Sequence, residues 1–109
     1  MNLVVIGTGY VGLVTGVGFA SLGNSVSFVD LDENKVSKLK DKQVPFYEPG
    51  LEEHFQDNET FSRMSFTSSY EDVDWEDTDV AFICVQTPNN FETNSVDTRF
   101  LESAITEIN

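Results

Sequence analysis

The chain has 109 residues, 39% hydrophobic and 12% aromatic, a composition that fits one small globular domain and excludes a disordered segment. Nineteen acidic residues against six basic ones give a formal net charge of −13, and a surface of that sign excludes nucleic acid as a partner. No apolar stretch is long enough to span a bilayer, and the N-terminus has neither the basic region nor the cleavage site of a signal peptide, so the expectation is a cytoplasmic protein with no membrane partner.

The first predicted element is the strand Val4-Val5-Ile6, which breaks at once into Gly7-Thr8-Gly9-Tyr10-Val11-Gly12. Strand, glycine turn and helix in this order let a dinucleotide sit on a helix N-terminus. Gly7 allows the tight turn, Gly9 lets the backbone approach a pyrophosphate, and Gly12 lets helix and strand pack closely. The unpaired N–H groups and the positive end of the helix then meet the negative phosphates. In the helix, Val11, Val14, Thr15, Gly18, Phe19 and Leu22 recur at helical spacing as the apolar face. The small Gly16 and Gly18 permit close approach to a sheet, and Gly23-Asn24 supplies the stop.

Ser25-Val26-Ser27-Phe28-Val29 alternates as a second strand and ends on Asp30, eighteen residues beyond Gly12. A carboxylate at that point can accept both hydroxyl hydrogens of an adenosine ribose and repels a 2′-phosphate, which selects NAD over NADP as the cofactor. The alternative for Asp30 is a cap on the next helix, since Asp32 and Glu33 follow it.

Residues 34–42 form a short amphipathic helix with Val36 and Leu39 inward. Of its lysines, Lys38, Lys40 and Lys42 read as a solvated face, while Lys35, five residues past the acid, reaches the adenosine end. Pro45 and Pro49-Gly50 interrupt the chain, helix resumes over Leu51–Gln56, and His54 within it reads as a surface residue without a second metal ligand. Met64–Thr67 is a short strand, the acidic run 71–79 carries Trp75 as a lid over the sheet edge, and 80–85 is a buried parallel strand. The single Cys84 in that strand reads as a structural thiol, and one cysteine gives no disulfide framework and no metal cluster. Thr87-Pro88 turns the chain, and from Asp97 a last helix has Phe100, Leu101, Ala104, Ile105 and Ile108 on its apolar face.

Strands alternating with helices imply an α/β fold, a Rossmann-like doubly wound parallel sheet of which four strands, in the order 3-2-1-4, are present. Residues 1–109 are expected to be one such domain, truncated and part of a longer protein.

Three further segments join the glycine turn and the acid to make a more specific pattern: Val29-Asp30-Leu31-Asp32 with Lys35, Pro45-Phe46-Tyr47-Glu48-Pro49-Gly50-Leu51-Glu52, and Val85-Gln86-Thr87-Pro88. In this order they resemble the N-terminal NAD-binding domain of the UDP-glucose/GDP-mannose dehydrogenase family, nearest to its UDP-glucose branch. The resemblance implies a two-step, four-electron oxidation of a nucleotide-sugar C6 alcohol to a carboxylate with two NAD⁺, in an enzyme that forms homo-oligomers. Carried over position by position, it implies cofactor contacts at Gly7, Gly9, Tyr10, Gly12 and the backbone of Val11, with Asp30 and Lys35 at the ribose and Thr87 near the cofactor. It puts the catalytic cysteine and the nucleotide-sugar site beyond residue 109, and Cys84 does not match that cysteine. Gln86 and Gly18 depart from the family pattern. Glu48 reads as part of a rigid lead-in near a helix N-terminus, the alternative being a wall of the nucleotide-sugar entrance. A GDP-mannose or UDP-N-acetylhexosamine dehydrogenase, and a non-catalytic nucleotide-sensing module, stay open as other readings.

Overall fold

The structure, a computed structural model, describes residues 1–85, Asn89–Asn90 and Ser95–Val96. Four parallel strands, β1 (Asn2–Ile6), β2 (Ser25–Val29), β3 (Met64–Thr67) and β4 (Val80–Ile83), form one sheet in the order β3-β2-β1-β4. Helices α1 (Tyr10–Ser21), α2 (Glu33–Lys40), α3 (Leu51–Gln56) and α4 (Asn58–Ser62) fill the crossovers. A short antiparallel pair joins Asn89–Asn90 to Ser95–Val96. The expected sheet order therefore holds. Thr87, Gln86 and the helix expected from Asp97 lie outside the described residues.

Alternation along the strands divides the core into two layers. Leu3, Val5, Val26, Phe28, Met64 and Phe66 face α1, α2 and α3, while Val4, Ile6 and Val29 face Tyr70 and Val73 on the other side. Register aligns Phe82, Val5, Phe28 and Phe66 into a row across all four strands. Phe28 stacks on Phe66 with ring centres 5.0 Å apart. Trp75 closes the second layer, stacked on Tyr70 at 6.4 Å and donating its indole N–H to the Tyr70 carbonyl at 3.0 Å. It covers a face of the sheet, not its edge as the sequence suggested.

Helix α1 buries a different side from the one expected. Gly12, Leu13, Gly16, Val17 and Ala20 are inside, whereas Val11 and Leu22 are 64% and 79% exposed and Gly18 faces open space. The expected face is thus rotated by roughly half a turn. Gly16 sets the true one: a Cβ there would fall into the ring of Phe28 and 3.2 Å from a Val5 methyl. Since Phe28 is fully buried and held against Phe66, the ring has no room to yield. Gly16→Ala is expected to cost about 1–3 kcal/mol through overpacking, read as a fall in urea midpoint without change in slope. At its far end α1 closes through Gly23, whose N–H reaches the Ala20 carbonyl at 3.1 Å. Arg63 bonds that same carbonyl, also at 3.1 Å.

Strand β4 is shorter than residues 80–85 and less buried than its apolar sequence implies, with Val80 37% and Ile83 36% exposed. Among the described residues it has β1 on one side only, and Ile83, paired with Ile6, stands at the open edge. Helix α2 keeps Val36 and Leu39 inside as expected, and the bounds of α3 and β3 agree with the sequence reading. Helix α4, short and mostly polar, is an addition, capped by the Asp57 carboxylate, which accepts from the Glu59 N–H at 3.3 Å and also from the Thr60 hydroxyl at 2.8 Å.

A candidate dinucleotide site at the carboxyl ends of the strands

The site grows from the end of β1. Its two neighbours hold the turn from both sides: the Gly7 N–H donates to the Val29 carbonyl at 2.7 Å, and the Cys84 N–H donates to the Ile6 carbonyl at 2.8 Å. Here the chain crosses over to opposite sides of the sheet, the switch point where open α/β sheets bind ligands. Gly7 has φ +97°, and a Cβ on it would lie 2.6 Å from the Cys84 carbonyl oxygen, so both conformation and space demand glycine. A Cβ on Gly12 would fall onto the Gly7 carbonyl oxygen and 3.2 Å from the Cys84 Cβ. Helix α1 begins at once, its first bond running from the Leu13 N–H to the Gly9 carbonyl at 3.0 Å. The amides of Tyr10, Val11 and Gly12 therefore have no intrahelical acceptor and form the positive end of the helix.

Gly9 differs from the other two. It caps α1 with φ −71° and ψ −171°, a conformation open to any residue, and a Cβ on it would meet nothing within 4 Å. Nothing in the protein requires a glycine there. The space beside it belongs to a cavity of about 320 Å³ lined by the glycine turn, by Asp30 to Asp32 and Lys35, and by Tyr70, Cys84 and Val85. Free amides, a bare Cα and a fixed carboxylate fit a dinucleotide held by its pyrophosphate and its ribose.

Asp30 follows β2 and is bound to the turn. One carboxylate oxygen accepts from the Thr8 N–H at 3.0 Å and the Thr8 hydroxyl at 2.6 Å, and the other accepts from the Asp32 N–H at 2.9 Å. The cap on α2 is Asp32, which accepts from the N–H groups of Asn34 and Lys35, so the capping alternative for Asp30 is excluded. Partial burial works to raise the Asp30 pKa, but the Thr8 hydroxyl, the Asp32 and Thr8 amides and the Lys35 charge together pull it below the ordinary carboxylate value. Asp30 is an anion that only accepts hydrogen bonds. Cys84 behaves in the opposite way: burial pushes its thiol pKa up, which leaves it protonated and poorly nucleophilic near neutrality. His54 is half-buried in α3, and among the described residues no group of His, Cys, Asp and Glu is arranged to hold a metal.

Of the residues expected from sequence, Gly7, Gly9, Asp30 and Lys35 line the cavity. Gly12 lies behind it as a packing residue, and Val11 is exposed on the first turn of α1. Tyr10 turns its side chain away: its hydroxyl donates to Glu48 at 2.7 Å and its ring lies 5.2 Å from that of Phe46. Glu48 lies in the lead-in to α3, its carbonyl accepting from the Leu51 N–H at 3.0 Å, while its carboxylate fastens the 45–50 segment to the start of α1. The hydrogen bond to Glu48, followed by desolvation and the carboxylate's charge, raises the Tyr10 phenol pKa above its ordinary value. Glu48→Gln is expected to bring the alkaline ultraviolet titration of Tyr10 back down, and an unchanged curve would dismiss the contact in solution.

Sequence reasoning missed Thr8 and the Tyr10–Glu48 pair. Partners 22 and 38 residues apart carry no local signal of their contact.

Together the sheet order, the glycine turn and the fixed acid define a Rossmann dinucleotide-binding domain. A profile of the UDP-glucose/GDP-mannose dehydrogenase family, NAD binding domain, matches residues 1–109. The chain belongs to that family, and its cofactor is NAD. UDP-glucose 6-dehydrogenase of Rhizobium meliloti is 41% identical over 108 residues, 99% of this chain and 24% of that protein. A UDP-glucose dehydrogenase structure from Pyrobaculum islandicum superposes with TM-score 0.86 and 39% identity over 98% of this chain and 24% of its own. The ternary complex of GDP-mannose dehydrogenase from Pseudomonas aeruginosa gives TM-score 0.89 and 32% identity over 99% and 24%. The chain spans 12 to 24% of the length of the curated relatives it matches. Among the described residues no helix is long and apolar enough to cross a membrane.

Proposed function

We propose that this chain is the cofactor-binding domain of a UDP-glucose 6-dehydrogenase that oxidises UDP-glucose to UDP-glucuronate with two NAD⁺. The observation that carries the reading is the empty space over Gly9, open to any side chain by backbone geometry, beside a carboxylate already fixed as an acceptor. In this reading Asp30 accepts the hydroxyls of the adenosine ribose, and Lys35 offsets charge at the same end. The first-turn amides of α1 face the pyrophosphate, with the backbone of Val11 among them, and Thr87 lies near the cofactor beyond β4. Bound there, NAD⁺ supplies the hydride acceptor.

The UDP-glucose branch is favoured by identity, 39 to 41% in two UDP-glucose enzymes against 32% in the GDP-mannose enzyme. The GDP-mannose reading keeps one observation of its own, the TM-score of 0.89. A Cys84 thiol that burial keeps protonated fits a structural role, so the nucleophile that carries an alcohol to a carboxylate comes from outside this domain. A single cysteine also suits the cytoplasm, where thiols stay reduced.

Two measurements test the proposal. Calorimetry should detect NAD⁺ binding by the chain, reduced in Asp30→Ala; equal affinity would remove Asp30 from the site. The natural gene product should reduce NAD⁺ with UDP-glucose faster than with GDP-mannose or UDP-N-acetylmannosamine, and the opposite order would reassign the sugar.

A further inference from the structure

We propose that Thr8 is a positioning residue that sets the discrimination between NAD and NADP by holding the Asp30 carboxylate still. Thr8 is 2% exposed, so its hydroxyl has no water to trade with and spends its proton on Asp30 at 2.6 Å. The Thr8 amide adds a second donor to the same oxygen at 3.0 Å, and the Asp32 amide takes the other oxygen at 2.9 Å. Donors on both oxygens fix the plane of the carboxylate, leaving its remaining acceptor sites to serve a ligand in the cavity.

A free ribose diol gains most from such an acceptor, because neither carboxylate oxygen has to reorient on binding. A 2′-phosphate meets the reverse: an anion that cannot swing aside and, with three donors on it, does not take a proton to escape the repulsion. Without the hydroxyl, one of the two donors on that oxygen is gone and the carboxylate can turn. Lys35 lines the same cavity and is then the cation that a 2′-phosphate would approach. Thr8 thus acts through Asp30 and need not touch the cofactor.

The inference rests on Asp30 serving the ribose, and the test separates the two. NAD⁺ and NADP⁺ are titrated by calorimetry into the chain and into Thr8→Val, Thr8→Ser and Asp30→Ala. Thr8→Val keeps the shape and the amide but removes the hydroxyl, and is expected to weaken NAD⁺ by about tenfold, the worth of one charge-assisted hydrogen bond. Its preference for NAD⁺ over NADP⁺ should narrow by a similar factor, and Thr8→Ser should restore both affinity and preference. A role limited to filling the core would lower stability and leave the NAD⁺/NADP⁺ ratio at the wild-type value, which overturns the proposal. If Thr8→Val does not fold, the smaller Thr8→Ala answers the same question, and a changed ratio in Thr8→Ser counts against the hydroxyl as well. Should Asp30→Ala bind NAD⁺ like wild type, the ribose assignment itself falls; a weakened Asp30→Ala beside a wild-type Thr8→Val overturns the role of Thr8 alone.

Discussion

Gly9→Val is expected to fold normally and lose NAD⁺ binding, while Gly12→Ala, three residues on, is expected to lose stability. The two glycines belong to one motif but answer to different demands. At Gly9 the backbone is in an extended conformation that valine adopts, and the new side chain enters space that no protein atom occupies. The stability cost is limited to a poorer helix cap, about 1 kcal/mol. The same side chain stands where a pyrophosphate must approach the Cα, so affinity should fall by more than tenfold. At Gly12 the obstacle is the Gly7 carbonyl, backbone against backbone, with the Cys84 Cβ behind it. Overpacking of that kind costs about 1–3 kcal/mol or more, and each kcal/mol lowers Tm by roughly 4–8 °C in a domain of this size. Thermal unfolding and calorimetry on both variants check the pair. Loss of stability in Gly9→Val with retained binding would invert the assignment.

Asp30→Ala should combine both kinds of damage. On the proposed ribose contact two hydroxyls lose a charged acceptor, and at about 1.5–3 kcal/mol for each such bond the affinity falls by at least about a hundredfold. The Thr8 hydroxyl and amide lose their partner in a place shielded from water, which costs about 1–3 kcal/mol of stability. That second loss depends on pH in a defined direction. The folded pKa of Asp30 lies below its unfolded value, so the ion contributes stability at pH above the unfolded value, near 4. As pH falls through the lower, folded pKa, the contribution disappears. Urea unfolding of wild type and Asp30→Asn should therefore differ at pH 7 and converge in acid below about pH 4. A gap that stays constant across that range would mean the carboxylate is not held as an ion.

The strongest local signals in the chain were those that glycine, proline and alternation write within a few residues. β1, the turn and β2 read correctly for that reason, as did α3 and β3. The buried side of α1 was not legible because the helix has no charged residue: apolar positions occur all round, and periodicity had no polar face to contrast with. Only the small Gly16, opposite Phe28, marks the true contact. Residues 80–85 read as buried because an apolar run signals composition, not neighbours, and among the described residues the sheet covers this strand from one side. The cofactor turn was legible as a motif but not as a mechanism. What tunes Asp30 comes from Thr8, and what fastens Tyr10 comes from Glu48, each through a contact that only the folded chain creates.

The seat of Gly7 is the carbonyl of Cys84, and β1 meets β4 across more than seventy residues of sequence. Loop closure of that length is among the slower steps by which a sheet assembles. The glycine turn and the strand that seats it are written far apart in the chain. A nascent chain that has emerged only as far as α4 already holds the whole fingerprint and still lacks the floor beneath it. The conformation of the turn is thus shared between residues near its own place in the sequence and a strand far along it, and damage to β4 reaches the turn through the Cys84 carbonyl.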